Sequence, residues 1–181
     1  MAAVELTTSR LLVRRFAASD APGLHAYLSR PEAVRFEPYP VQSLADCERL
    51  AIERAVSPDF WAVCLRDSGE LIGNLYLHRC EPLAWRTYEL GYVFHPDHWG
   101  RGYATEAAAA LVSSCFEDQG AHRIEARCDP VNAASWRLLE RLGFRREGCL
   151  LQNASFVDDA DGNPVWKDTY LYAMLAAEWV G

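Results

Sequence analysis

The segment from Tyr88 to Val112, "YELGYVFHPDHWGRGYATEAAAALV", constrains the fold more than any other part of the chain. An apolar run leads through a proline and a Gly-Arg-Gly loop into a stretch of good helix formers. From Gly102 onward Ala104, Ala107, Ala108, Leu111, Val112 and Cys115 recur at helical spacing. A strand that enters a helix this way places the helix's first N–H groups, which have no partner within the helix, beside the strand's end. Those groups carry partial positive charge, so a phosphate there gains hydrogen bonds and dipole attraction. Gly100 and Gly102 let the backbone curl close to such a ligand, and Arg101 can add a charge-assisted bond. A tight turn and an anion seat are both compatible with the loop alone.

Two common nucleotide loops are excluded. A nucleotide P-loop requires G-x-x-x-x-G-K followed by Ser or Thr, and nothing in the chain matches. A dinucleotide loop requires a third glycine near position 105 and an acid at the tip of a following strand. Thr105 stands there instead, and Glu117 and Asp118 fall on the helix.

Around this segment the pattern is mixed. "RLLVRRF" (Arg10 to Phe16) reads as a strand, and Ser19 or Asp20 can cap a helix carrying Leu24, Tyr27 and Leu28 on one side. "FEPYP" breaks the pattern. Ser43 then caps a helix with Leu44, Cys47, Leu50, Ala51 and Val56 on its inner face, ending before Pro58. "FWAVCLRD" and "ELIGNLYLHRC" flank the turn "SG" as a hairpin, and with "TYELGYVFH" they form an antiparallel meander. Beyond the glycine-loop helix, which Gly120 closes, come a strand "HRIEARCD" and a helix from Asn132 to Leu142 stopped by Gly143. A strand "FRREGCLLQ", a loop "DDADGNP" and a last strand "VWKDTYLYAML" complete the chain. With no repeat or linker, the reading is one α+β domain over residues 1–181.

Composition narrows the function classes. A net charge of −7, with Lys167 the only lysine, argues against sequence-nonspecific nucleic-acid binding. No run of 18 apolar residues offers a membrane span, and "MAAVELTTSR" lacks the build of a signal peptide, so a cytoplasmic protein without membrane partners is expected. The six cysteines show no C-x-x-C pair and no histidine at ligand spacing. Reduced core thiols and no metal are therefore expected.

Read together, "YELGYVFHPDHWGRGYATEAAAALV" and "NAASWRLLERLGF" resemble the GNAT superfamily of acetyl-coenzyme A-dependent N-acetyltransferases. Within it they look most like the Rim-type branch, which acetylates ribosomal-protein N-termini. The resemblance runs from Phe60 to Leu151, and "VWKDTYLYAM" and "EW" fit the same branch. It implies a mixed, mostly antiparallel central sheet splayed between two parallel strands, with helices on both faces.

The resemblance also implies a site. Acetyl-coenzyme A would lie where "YELGYVF" and "HRIEARCD" splay apart, bonded by main-chain groups of Tyr92, Val93 and Phe94. The family's pyrophosphate motif, Q/R-x-x-G-x-G/A, falls on Trp99, Gly100, Arg101, Gly102, Tyr103 and Ala104; Trp99 departs from it, while the amides from Gly100 to Thr105 remain. Asn132 would cap the last helix or turn its amide toward the pantetheine arm. Many members carry a tyrosine four residues before the glycine of "GF" to protonate the leaving thiolate. Leu139 stands there, and Ser135 matches the serine the Rim-type branch places nearby. Glu89 matches a water-linked base, and a main-chain N–H near Val93 would steady the thioester carbonyl.

The acceptor would be a primary amine attacking directly in a ternary complex. An α-amine, with a pKa of about 7.7 to 8.0, needs less help than a lysine amine near about 10.4. A protein N-terminus, a small molecule such as an aminoglycoside, polyamine or amino acid, and a non-catalytic coenzyme A-binding module remain alternatives. Family members often form homodimers through their C-terminal strands. Trp166, Tyr170, Tyr172 and Trp179 would suit such an interface or the core.

Overall fold

The computed structural model describes residues 5–180. Eight strands form one sheet in the order β1-β2-β3-β4-β5-β6-β8-β7. They are β1 (Leu6–Thr7), β2 (Leu11–Arg15), β3 (Phe60–Leu65), β4 (Leu71–Arg79), β5 (Thr87–Phe94), β6 (Arg123–Cys128), β7 (Arg145–Asp158) and β8 (Pro164–Leu175). Every neighbouring pair is antiparallel except β5 and β6. Helices α1 (Ala21–Leu28), α2 (Pro31–Val34) and α3 (Leu44–Val56) pack on one face, and α4 (Tyr103–Glu117) and α5 (Ala133–Arg141) on the other.

The two-residue period of the strands produces this division. On β3, Trp61 and Val63 join the core under α4 and α5, while Ala62 and Cys64 join the core under α1 to α3. On β5, Tyr88, Leu90 and Phe94 face α4, and Val93 faces the other way. Four cysteines are buried as expected of core thiols, Cys80 is half-buried and Cys149 is exposed.

Several local expectations change. Ser43 does cap α3, its hydroxyl accepting from the Asp46 N–H. The inner stripe, however, is Cys47, Ala51 and Arg54, while Leu44 and Val56 are 46% and 84% exposed. Val56 lies two residues, about 200° of helical turn, past Arg54, which turns it to solvent. Arg54 is buried because its guanidinium donates to Asn74 Oδ1 at 3.1 Å and lies over the Phe60 ring at 4.5 Å. Asp20 is drawn inward by Arg14, which grips it through two nitrogens at 2.8 Å. β7 runs on past "FRREGCLLQ" to Asp158, so that β7 and β8 form a long ribbon with its turn at 159–163. In the aromatic C-terminal group Tyr172 is fully buried and Tyr170 and Trp179 pack against the core, leaving Trp166 exposed.

Candidate functional site

The parallel pair is the hinge of the site. β5 pairs with β6 only from Thr87↔Arg123 to Leu90↔Ala126, whereas β4 follows β5 to Phe94 and β8 follows β6 to Cys128. From Gly91 to Phe94 the β6-facing edge of β5 is therefore open. His95 N donates to Ile72 O and Cys80 N donates to Thr87 O, so the odd-numbered residues of β5 turn their main-chain groups toward β4. Tyr92 and Phe94 turn theirs toward the open edge. Val93 departs from the expectation, because its N–H and C=O belong to the ladder with Asn74. One further acceptor is already taken: Trp99 Nε1 donates to Phe94 O at 2.9 Å. The tryptophan that breaks the family motif thus pins the end of β5.

The glycine loop closes this edge at one corner. Gly100 and Gly102 sit at φ +73° and +80°, a backbone that L side chains rarely adopt, and Gly102 is the N-cap of α4. Among the described residues, none of the main-chain N–H groups from Gly100 to Thr105 has a protein acceptor, and the first helical bond is Glu106 N to Gly102 O. Six consecutive free donors at a helix start form an anion cradle. Arg101 is exposed, its carbonyl held by Arg10 Nη1 at 3.0 Å. Glu106 supports the loop from beneath by accepting from Thr8, Ser9 and Arg10.

Partial burial opposes ionisation of Glu106, but these hydrogen bonds outweigh it and hold the carboxyl at about 2. A carboxylate with a depressed folded pKa stabilises the fold above its unfolded value, near about 4.3, and loses that contribution as pH falls toward about 2. Glu106→Gln is therefore expected to lower the unfolding free energy by about 2 kcal/mol at pH 7 and to flatten its slope between about pH 4 and 2. Urea denaturation at stepped pH measures both.

α5 faces the open edge with its first turn. Asn132 is its N-cap, Oδ1 accepting from Ser135 N at 3.3 Å. Ser135 Oγ lies 3.0 Å from Tyr92 Oη, which also reaches Ser135 O at 3.1 Å. Burial pushes the Cys128 thiol up to about 11, while the Ser135 hydroxyl acts on it in the opposite direction. Leu139 is fully buried in the core.

On the other face, Glu89 is half-buried, with Arg127 Nη1 3.8 Å away. It stands directly across from His78 on β4 and from Glu125 on β6. His78 Nδ1 lies 2.9 Å from Asp59 Oδ2, and Arg127 also pairs with Glu125 at 3.2 Å. Near Val93, Tyr27 donates to Asn74, and Tyr39 packs into the same cluster. Burial pushes the neighbouring Glu37 carboxyl up to about 7, against a hydrogen bond with Tyr39 and the charge of Arg54. Sequence reasoning missed His78, Asp59 and this buried polar group. Their partners are 19 to 47 residues apart, and only strand register brings them together.

Comparison with known proteins agrees with this geometry. The acetyltransferase (GNAT) domain family matches residues 10–145. The N-acetyltransferase YnaD of Bacillus subtilis (strain 168) is 33% identical over 177 residues, covering 97% of this chain and 99% of its own. The ribosomal protein uS5-alanine N-acetyltransferase of Escherichia coli (strain K12) is 28% identical over 186 residues, covering 97% and 93%. The crystal structure of a GNAT-family acetyltransferase from Bacillus anthracis superposes with a TM-score of 0.87 at 32% identity, covering 97% of this chain and all of that one. With the splayed parallel pair, the amide cradle and these likenesses together, the chain belongs to the GNAT family of acetyltransferases.

Proposed function

We propose that the chain transfers an acetyl group from acetyl-coenzyme A directly to a primary amine in a ternary complex, with a protein N-terminus as acceptor. The observation that carries this reading is the meeting of two unsatisfied main-chain surfaces at one corner. They are the open edge of β5 at Tyr92 and Phe94 and the free amides from Gly100 to Thr105. The edge suits an extended amide-bearing arm, and the cradle suits a pyrophosphate. Such a cosubstrate supplies an activated thioester; the residues supply position and charge.

In this arrangement the amides of Gly100 to Thr105 hold the diphosphate, with Arg101 at its rim. Main-chain groups of Tyr92 and the Phe94 N–H align the arm, and the Asn132 Nδ2 hydrogens are free to reach it. A free N–H of the open edge steadies the thioester oxygen. Glu89, through water, accepts the proton released by the amine, and the Ser135 hydroxyl donates to the departing sulfur. The acceptor class rests on the uS5-alanine acetyltransferase likeness and on the low basicity of α-amines, which attack in neutral form near pH 8 without a strong base.

The test is thiol release from acetyl-coenzyme A at pH 8 with three acceptors: a peptide with a free α-amine, the same peptide N-acetylated but bearing lysine, and a polyamine. Turnover confined to the first supports the proposal. Turnover confined to the polyamine moves the acceptor class to small molecules, and binding without release under all three leaves a coenzyme A-binding module. Glu89→Gln is expected to lower kcat by about 10-fold or more, with the loss growing below pH 7.5 as free amine becomes scarce.

A further inference from the structure

Acetyl transfer expels a thiolate, and Leu139, buried in the core on the last helix, offers it no hydrogen. Tyr92 comes from the opposite wall. It sits in the splayed part of β5, and its hydroxyl meets Ser135 at the first turn of α5. Resting on the acetyl-transfer reading above, we propose that Tyr92 is a positioning residue that acts on the leaving thiolate through Ser135, its hydroxyl donating to Ser135 Oγ so that the serine hydrogen points at the sulfur.

Hydrogen-bond accounting gives the direction. Tyr92 Oη has one hydrogen and two acceptors in reach, Ser135 O at 3.1 Å and Ser135 Oγ at 3.0 Å. The carbonyl of Ser135 lies inside α5, where the helix ladder supplies its donor from the residue four positions on. The Ser135 N–H is committed to Asn132. Among the described residues Oγ has no other donor, whereas the carbonyl already holds its ladder hydrogen and offers only its second lone pair; with the tyrosine hydrogen on Oγ, the serine's own hydrogen is free to donate elsewhere.

Burial keeps the Tyr92 phenol protonated and therefore a donor across the working range. Two hydroxyls in series polarise one another, so the second donates more strongly than either would alone.

The atoms balance without a proton leaving the pair. The amine nitrogen bonds to the acetyl carbon, the carbon–sulfur bond breaks with its electrons going to sulfur, and the thiolate is held by the Ser135 hydrogen. The proton lost by the amine passes through water to Glu89, and water later protonates the sulfur.

The test needs no acceptor and no turnover: titration of the thiol of bound coenzyme A, followed by thiolate ultraviolet absorbance. In the wild type the thiol pKa is expected about one unit below that of free coenzyme A, the shift that one charge-assisted hydrogen bond supplies. Tyr92→Phe, which keeps the ring and the main chain, is expected to remove about half of that shift. Ser135→Ala removes all of it, Ser135→Thr retains it, and Tyr92→Phe in the Ser135→Ala background adds nothing. An unshifted wild-type thiol overturns the proposal, as does a Tyr92→Phe protein that titrates like wild type. Equal effects of Tyr92→Phe with and without Ser135 also overturn it. Failure of wild type to bind coenzyme A at all would instead sink the acetyl-transfer reading.

Discussion

Gly102→Asp is expected to lower acetyl-coenzyme A affinity by about 100-fold or more while changing unfolding free energy by no more than about 1 kcal/mol. The separation follows from the site's geometry. Gly102 caps α4 at φ +80°, where an added Cβ meets only the end of the Arg10 side chain at 3.4 Å. Aspartate tolerates this left-handed backbone better than most residues, and a carboxylate at a helix start gains from the dipole. Helix stability therefore nearly balances. The same carboxylate, however, competes for the amides of Tyr103, Ala104 and Thr105 and repels a diphosphate. Gly102→Ala, which adds strain without charge, should lose far less affinity. Calorimetric titration beside thermal melting separates the two effects, and a Gly102→Asp protein that binds like wild type would remove the pyrophosphate from this loop.

Gly73→Ala is expected to damage both fold and site. A Cβ at position 73 would lie 2.6 Å from Phe94 Cδ1 and 2.7 Å from the Val93 carbonyl oxygen. The ring can shift, but the carbonyl belongs to the β4–β5 ladder and cannot. Overpacking of this kind costs about 1–3 kcal/mol, which for a chain of this size is about 3 to 10 °C of melting temperature. Because Phe94 ends the open edge, acetyl-coenzyme A affinity should fall with it. Gly91→Ala is the control on the neighbouring strand: its Cβ would sit 3.5 Å from Tyr76, an ordinary contact, and the protein should melt within about 2 °C of wild type.

Periodicity carried most of the fold. The turn between "FWAVCLRD" and "ELIGNLYLHRC", the helical spacing behind Gly102 and the glycine at 143 each placed an element that the structure contains. The α3 stripe was misread at its ends because hydropathy ranks Val56 above Arg54, while a ring and an amide on neighbouring strands make burial of the arginine favourable. The β7–β8 ribbon ran longer than expected because its outer half is nearly all exposed and lacks the alternation that marks a half-buried strand.

In the candidate site, the cradle was legible because it depends on glycines and a helix start, both local features. Val93 was assigned main-chain bonding that belongs to its neighbours, since strand parity is set by register with β4 and not by residue type. The Tyr92–Ser135 contact, 43 residues apart, is invisible until the splay brings β5 and α5 face to face.

The central claim is that one corner of the sheet holds the acetyl donor by its diphosphate and its arm together. Calorimetric titration of the purified protein with acetyl-coenzyme A and with acetyl-pantetheine, which lacks the diphosphate, tests it directly. The account predicts one site per chain for acetyl-coenzyme A and affinity for acetyl-pantetheine weaker by about 100-fold or more. Equal affinity for the two, or no binding of acetyl-coenzyme A, would contradict it.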